Sequence, residues 1–204
     1  PNRGCCQNPV VNALIFQPEW QAVRIHADPS QKSVQYKSVG KEELKDKEEI
    51  YNLVKEAFKN AEHSDGQEHN LVNKLRNSES FIPELALVAE DNEKIAAHIM
   101  YTKVYIVNGE EKYESLALAP LSVLPEYQNK GVGSHLVNTS LNIARALGYE
   151  SVIVLGSEKY YPRFGFEEAA KYKITAPFDV PSENFMILEL KKNSLKDICG
   201  VVSY

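Results

Sequence analysis

A glycine-containing loop between an apolar strand and an amphipathic helix is the feature that most constrains this chain. The loop, Gln-Asn-Lys-Gly-Val-Gly at residues 128–133, follows the apolar run 116–123 and leads into a helical pattern over 132–147. Glycine lets the backbone approach a ligand closely, and the first N–H groups of a helix have no intrahelical partner. These groups and the helix dipole favour an anion. The loop therefore predicts a binding site for a phosphorylated cofactor.

The spacing of the loop excludes two common phosphate-binding motifs. A Walker loop places Lys directly after its second glycine, whereas here Lys130 precedes both Gly131 and Gly133. A dinucleotide fingerprint needs a third glycine, where this chain has Leu136, and an acidic residue about 20 positions on, ending a second strand. The pattern that remains is Gln-x-x-Gly-x-Gly after an apolar strand.

A second motif lies downstream of the loop. Residues 161–166 match Tyr-x-x-x-Gly-Phe and follow the apolar run 151–155. Together with the loop, this motif resembles the GNAT superfamily of N-acetyltransferases, whose cofactor loop is Gln/Arg-x-x-Gly-x-Gly/Ala. The sequence around both motifs looks like the bacterial YhbS-like branch, and the resemblance covers roughly residues 34–190.

The resemblance implies an enzyme with a GNAT-like fold. The expected fold class is α/β (mixed α+β), with a twisted mixed sheet, antiparallel N-terminal hairpins, a β-α-β cofactor half and helices on both faces. Acetyl-coenzyme A is the implied co-substrate, without a metal. The implied reaction moves the acetyl group to a primary amine by direct attack on the thioester. The alternative function is a non-catalytic coenzyme A-binding regulatory or interaction module.

Two segments are expected to contact acetyl-coenzyme A. In the family, the strand before the loop pairs with the pantetheine arm. Pro120 favours such a site here, because proline cannot donate a ladder hydrogen bond and marks edges or bulges. The loop and first helical turn are expected to bind the pyrophosphate through backbone N–H groups. The predicted cofactor-binding residues are Leu121, Ser122, Val123, Gln128, Asn129, Lys130, Gly131, Val132, Gly133 and Ser134.

Tyr161 is the predicted catalytic residue. Its register with Gly165 matches the family tyrosine, and a phenol with a pKa of about 10 can protonate a thiolate leaving group with a pKa of about 8.5. Some family members carry a glutamate eleven residues before the loop glutamine, but that position here is Ala117. The general base stays open among His98, Glu114, Glu126 and water.

Composition and charge narrow the partners. The chain has 204 residues and a formal net charge of -5, which argues against nucleic acid as a partner. No apolar run approaches the roughly 18 residues of a membrane-spanning helix. Cys5, Cys6 and Cys199 are odd in number and lack metal-ligand spacing, so neither a disulfide framework nor a metal site is expected. We expect a cytoplasmic monomer or homodimer that takes a small-molecule or peptidic amine and does not bind a membrane.

Three segments are expected along the chain: an N-terminal extension over 1–33, an acetyltransferase domain over 34–190 and a C-terminal tail over 191–204. Hydrophobic periodicity predicts helices over 41–60, 68–76 and 132–147. Strands are predicted over 34–36, 85–90, 95–107, 113–123, 151–155, 171–175 and 184–190.

Overall fold

The computed structural model describes residues 38–61 and 66–204, which form a nine-stranded sheet with three α-helices. The helices are α1 (Lys47–Phe58), α2 (Glu68–Arg76) and α3 (Val132–Ala146). The strands are β1 (Ser38–Lys41), β2 (Leu87–Asp91), β3 (Lys94–Asn108), β4 (Glu111–Val123), β5 (Ser151–Leu155), β6 (Glu167–Glu168), β7 (Ile174–Thr175), β8 (Phe185–Glu189) and β9 (Gly200–Ser203).

The sheet places the strand that carries the cofactor loop near its centre. The strand order is β1-β2-β3-β4-β5-β8-β6, and β9 pairs with both β3 and β7. Neighbours are antiparallel, except that β4 and β5 are parallel, as are β7 and β9. Two parallel strands need a crossover connection, and α3 supplies it between β4 and β5. This β4-α3-β5 unit is the cofactor half that the sequence predicts.

The helices cover both faces of the sheet. α3 buries an apolar stripe at intervals of three and four residues, which packs on the face formed by Leu116 and Leu118 of β4. α1 packs on the opposite face, against Val88 and Met100. Side chains alternate between the faces along a strand, so Ala117 belongs to the α1 side, in a cluster with β9. The expected mixed α/β fold with helices on both faces is confirmed.

A β-bulge interrupts β4. The pairing of β3 with β4 changes register between Ile99 and Tyr101, where a single residue of β3 lies opposite Ala119 and Pro120. Pro120 has no N–H group for the ladder, which is why the pairing breaks at this point. The irregularity that Pro120 predicts in this strand is confirmed.

Some element boundaries differ from the sequence prediction. The helix predicted from residue 41 begins later, because Lys41 pairs with Leu87 and belongs to β1. The strand predicted over 171–175 is a short helical turn at Ala169–Tyr172 followed by the two residues of β7. The predicted strand over 34–36 and the expected extension over 1–33 lie outside the described residues.

The C-terminal segment 191–204 is not a separate tail. It contributes β9, which lies between β3 and β7 and buries Val202, so the folded unit continues past residue 190. Cys199 is disulfide-bonded, contrary to the expectation from the odd number of cysteines.

Candidate active site

The predicted cofactor loop ends at the N-terminus of α3. Gly131 is the N-cap residue, with φ of +80°, and its carbonyl accepts the first helical hydrogen bond, from the N–H of His135 at 3.0 Å. A Cβ at Gly131 would meet nothing within 4 Å, so the space beside this backbone can take a ligand. The first turn of a helix has no intrahelical partners for its N–H groups. Those of Val132, Gly133 and Ser134 therefore suit an anion.

The side chains of the loop hold it in place. The Gln128 side-chain Nε2 donates to the carbonyl of Val123 at 3.0 Å, which ties the loop to the end of β4. The Lys130 ammonium lies 5.9 Å from the centroid of the Tyr127 ring. Asn129 adopts a φ of +61°, a region that asparagine tolerates better than most residues. The loop thus turns towards a ligand with its backbone rather than with Gln128.

β4 and β5 part next to this loop. Their parallel pairing consists of Leu116 with Val152 and Ala117 with Ile153. Beyond Ala117, the described part of β4 carries no paired strand on this side, and the bulge at Pro120 lies within the unpaired stretch. A wedge therefore opens between the two strands, towards the N-terminus of α3.

Alternate residues of β4 point their backbone N–H and C=O groups into this wedge. The N–H of Leu124 donates to the carbonyl of Ala96 at 3.0 Å, towards β3. Hydrogen-bonding direction alternates along an antiparallel strand, so Ser122 also faces β3, whereas Leu121 and Val123 face the wedge. Of the three predicted pantetheine contacts, Leu121 and Val123 are thus placed to pair with an extended ligand.

A cavity of about 260 Å³ lies where β4 and β5 separate. Its walls come from residues 102–104 of β3, 117–119 of β4 and 153–155 of β5. Leu75, Ser78 and Ser80, which follow or end α2, and Tyr204 complete the lining. The cavity therefore joins five separate parts of the chain at one end of the wedge.

Tyr161 lies in the core on the α3 side, and other residues line the cavity. It is 1% exposed, and its ring makes T-shaped contacts with Tyr160 and Phe166, at centroid distances of 5.1 and 5.5 Å. Burial raises the pKa of the Tyr161 phenol well above its usual value, so the hydroxyl stays protonated at neutral pH. Its neighbour Tyr160 places its hydroxyl 3.4 Å from Oγ of Ser134 in the first turn of α3.

His98, a candidate base from the sequence, is part of a buried ion-pair network. It is 0% exposed, and its Nε2 donates to the Glu42 carboxylate at 2.9 Å. Glu42 also accepts from Arg76, with Nε at 2.7 Å and Nη2 at 3.2 Å. Burial lowers the pKa of His98, and the bond to Glu42 offsets this only in part. His98 thus holds strands and helix together and has no access to an acceptor.

The other two candidate bases are engaged in surface ion pairs. Glu126 accepts from Lys94 at 2.6 Å, and this bond lowers the pKa of its carboxyl. Glu114 lies 3.4 Å from the ammonium of Lys103, which lines the cavity. Glu114 is therefore the one of the two that is linked to the cavity.

Sequence reasoning missed two groups of functional interest. Glu42 and Arg76 fix His98, but they lie 56 and 22 positions from it and no motif connects them. Tyr204 and Ser80 reach the cavity only through β9 and the segment after α2, and β9 itself was not predicted. No sequence signal indicates this network, because Glu42 does not stand out among its acidic neighbours.

The described residues contain neither a helix suited to a membrane nor a group of side chains suited to a metal ion. Within residues 38–61 and 66–204, no helix is long and apolar enough to cross a membrane. The same residues do not bring together three or more His, Cys, Asp or Glu side chains in an arrangement that could hold a metal ion.

A bulged strand that parts from its parallel neighbour beside a helix N-terminus is the arrangement of an acetyltransferase fold. Residues 47–166 match the acetyltransferase (GNAT) family, and this match covers more than half of the chain. The chain therefore belongs to the GNAT family of acetyltransferases.

Relatives in Escherichia coli K12 support the assignment. The uncharacterised N-acetyltransferase YjhQ is 40% identical over 119 residues, which make up 58% of this chain and just under two thirds, 66%, of YjhQ. The uncharacterised N-acetyltransferase YhbS is 32% identical over 138 residues, which make up 67% of this chain and 80% of YhbS.

Solved structures carry the same fold. The crystal structure of YhbS from Escherichia coli in complex with coenzyme A has a TM-score of 0.74 and 28% identity, and the match covers 88% of this chain and 93% of YhbS. A GNAT-family acetyltransferase from Brucella melitensis in complex with acetyl-coenzyme A has a TM-score of 0.67 and 29% identity, covering 82% of this chain and 94% of that protein.

Proposed function

We propose that this protein transfers the acetyl group of acetyl-coenzyme A to a primary amine by direct attack of the amine on the thioester. The observation that carries the proposal is the wedge between β4 and β5, which leads from the N-terminus of α3 to the cavity. Two of its relatives by structure have been crystallised with coenzyme A or acetyl-coenzyme A. The residues of this chain fit the same cofactor, because the backbone at Gly131 leaves room for it.

Each part of the site has a role in this proposal. The N–H groups of residues 131–134 bind the pyrophosphate. The outward-facing backbone groups of Leu121 and the N–H of Val123 pair with the amides of the pantetheine arm, whereas the carbonyl of Val123 accepts from Gln128. Ser122 has its backbone in the β3 ladder, opposite His98, and keeps this strand in place. Lys130, half-buried beside Tyr127, adds positive charge near the phosphates. The acetyl group then lies at the cavity, where the acceptor amine approaches it.

Two protons must move during the reaction. The attacking amine loses one, and the departing thiolate of coenzyme A gains one. We assign the second step to the hydroxyl of Tyr161, which its burial keeps protonated. The ring of Tyr161 packs on the α3 side and is not part of the cavity lining, so this assignment requires the thiolate to lie between the cavity and the hydroxyl. Water takes the proton of the amine, because His98 is closed off by Glu42 and because Glu114 and Glu126 are held in ion pairs.

The test compares two glycines. Gly131→Val should abolish binding of acetyl-coenzyme A, because the side chain fills the space beside the loop backbone. Gly109→Val is the matched control: Gly109 also has a positive φ, +61°, and open space, but it lies in the β3–β4 turn. Binding by calorimetry and thiol release with a panel of amines are measured for both variants.

Three outcomes separate the possibilities. Loss of binding in Gly131→Val with retained binding in Gly109→Val supports the cofactor site. Equal binding by the two variants would contradict it. Binding by the parent without thiol release for any amine would overturn the proposed reaction in favour of a non-catalytic coenzyme A-binding module.

A further inference from the structure

The cavity at the end of the wedge differs in character from the surface of the protein. The chain has a net charge of -5, which by itself favours a cationic acceptor. The cavity, however, has mainly apolar walls, from Val104, Leu118, Ile153 and their neighbours on β3, β4 and β5. A site selects its ligand by its lining, whereas net charge acts on the approach of the ligand.

Charge is scarce in the lining. Among the described residues that line the cavity, Lys103 carries the one charged side chain, and its ammonium pairs with Glu114 at 3.4 Å. Ser78, Ser80, Thr102 and Tyr204 supply hydroxyl groups, and none of the lining side chains carries a carboxylate. A second ammonium on the acceptor would therefore lose its hydration without gaining an opposite charge, which is costly.

The size of the cavity sets a second limit. At about 260 Å³ it lies below the range of roughly 300 to 1,000 Å³ that holds drug-sized ligands, and the acetyl group needs part of it. One wall is the ring of Tyr204, which stacks on Phe178 with 17° between the planes and 6.2 Å between the centroids. Such a space suits a small acceptor better than a folded peptide segment or a nucleoside.

We propose that the acceptor is a small monoamine with an uncharged, apolar body, and that Tyr204 limits its length. This inference rests on the proposed acetyl transfer and names its substrate class. The apolar lining also favours the neutral, nucleophilic form of the amine, because removal from water disfavours the ammonium. The amine enters as the free base, having left its ammonium proton in the solvent. Its nitrogen attacks the thioester carbonyl and the C–S bond breaks, the thiolate takes a proton from Tyr161, and the proton released by the new amide nitrogen passes through water to restore the Tyr161 hydroxyl.

The first experiment compares acceptors that differ in charge and size, using the 204-residue chain. The panel holds n-butylamine, 1,4-diaminobutane, 4-aminobutyrate and a lysine-containing tripeptide, and kcat/KM is measured by thiol release with acetyl-coenzyme A. We expect n-butylamine to exceed 1,4-diaminobutane and the tripeptide by about tenfold or more, the factor that corresponds to one unpaired charged hydrogen-bonding group. 4-Aminobutyrate should also stay below n-butylamine, because the ammonium of Lys103 is already paired with Glu114. A higher value for the diamine, the amino acid or the tripeptide would overturn the inference and leave the acetyl transfer intact.

The second experiment changes the lining. Tyr204→Ala should raise kcat/KM for n-octylamine relative to n-butylamine. Tyr105→Ala is the control and should not change this ratio. Tyr105 is 41% exposed, close to the 42% of Tyr204, but it lies outside the cavity. Ser80→Asp should improve 1,4-diaminobutane relative to n-butylamine by about tenfold, since it adds the missing carboxylate. Ser182→Asp, at an exposed position away from the cavity, is its control.

The outcomes distinguish this inference from the function on which it rests. Unchanged amine preference in both Tyr204→Ala and Ser80→Asp would show that the acceptor binds elsewhere and would overturn the inference. No thiol release with any amine, while acetyl-coenzyme A still binds, would overturn the proposed reaction and the inference with it.

Discussion

His98 shows how far the role of one residue depends on partners that are distant in sequence. Its place on a strand beside the cofactor strand makes it a reasonable candidate base. In the structure, Nε2 of His98 donates to Glu42, which in turn pairs with Arg76 of α2. Nδ1 of His98 and Oγ of the opposite residue, Ser122, are both buried without a partner among the described residues. The network therefore serves packing between helix and sheet, and its members should be tested by stability rather than by rate.

Glu42→Gln should lower the free energy of unfolding by about 3 kcal/mol, because it leaves the Arg76 guanidinium buried without a carboxylate. The side chains of Arg76 and Glu42 are only 5% and 7% exposed. Glu84→Gln is the control: Glu84 pairs with Lys41 at 3.4 Å and both are 52% exposed, so the expected change is below about 1 kcal/mol. Urea unfolding measures both, and equal losses would contradict the role of the network.

The same network predicts a loss of stability in acid. Burial alone would raise the pKa of Glu42, but the hydrogen bonds from His98 and Arg76 outweigh it and lower the pKa from 4.5 to about 2. A group with a lowered pKa stabilises the fold above its unfolded pKa, and this contribution disappears as the pH falls through the folded value. The parent should therefore lose stability between about pH 4.5 and pH 2, and Glu42→Gln should lose less across that window.

Tyr161→Phe should lower kcat by about 10²- to 10⁴-fold if the hydroxyl protonates the thiolate. Affinity for acetyl-coenzyme A should hardly change, because phenylalanine keeps the packing against Phe166. Since burial raises the pKa of Tyr161, the parent should keep its rate up to about pH 10, the usual pKa of a phenol. Tyr160→Phe is the control, because the Tyr160 hydroxyl contacts Ser134 and its ring packs against Phe164. A larger loss in Tyr160→Phe would shift the role by one residue.

At the scale of elements, local sequence patterns predicted those helices, strands and bulges that depend on residues close together in the sequence. β5 has the predicted bounds, α3 ends one residue before its predicted end, and Pro120 indicated the bulge. The prediction failed where strand pairing determines the bounds of an element. Lys41 belongs to β1 because it pairs with β2. The apolar spacing that predicted a helix from residue 41 includes Leu44, which is 81% exposed. β9 was missed because four residues carry little periodicity, and its partner in β3 lies almost a hundred residues away.

Gly200 offers a sharp test of how β9 is docked. Its φ is +145°, and a Cβ would overlap the backbone carbonyl of Val107 in β3. Gly200→Ala should therefore lower the free energy of unfolding by about 2 to 4 kcal/mol, since backbone rather than a flexible side chain must move. Gly40→Ala, on β1 with nothing within 4 Å, should change it by less than about 1 kcal/mol. Similar unfolding midpoints in urea for the two variants would contradict this docking.

At the scale of the whole molecule, the half that carries the proposed cofactor loop was predictable from the sequence and the cavity was not. The loop at 128–133, α3 and β5 are contiguous in sequence, so a motif with short spacing describes them. The cavity instead combines the end of α2, three strands and Tyr204, positions separated by up to 129 residues from Leu75 to Tyr204. No spacing rule connects such positions, and the substrate class follows only from the assembled lining.

The limits of the folded unit give the final prediction. Sequence reasoning treats residues 1–33 and 191–204 alike, as segments outside the domain, but β9 pairs with β3 and β7 and buries Val202. Removal of residues 200–204 should therefore lower the free energy of unfolding by about 3 kcal/mol or more, the scale of a lost buried valine and its ladder.

Removal of residues 1–33, which show no periodic apolar face in the sequence, should leave the midpoint and binding of acetyl-coenzyme A unchanged. Both truncations are compared with the parent by urea unfolding under a reductant, so that the disulfide of Cys199 does not contribute. A parent-like midpoint after the C-terminal deletion would refute the role of β9, and loss of cooperative unfolding after the N-terminal deletion would place residues 1–33 inside the folded unit.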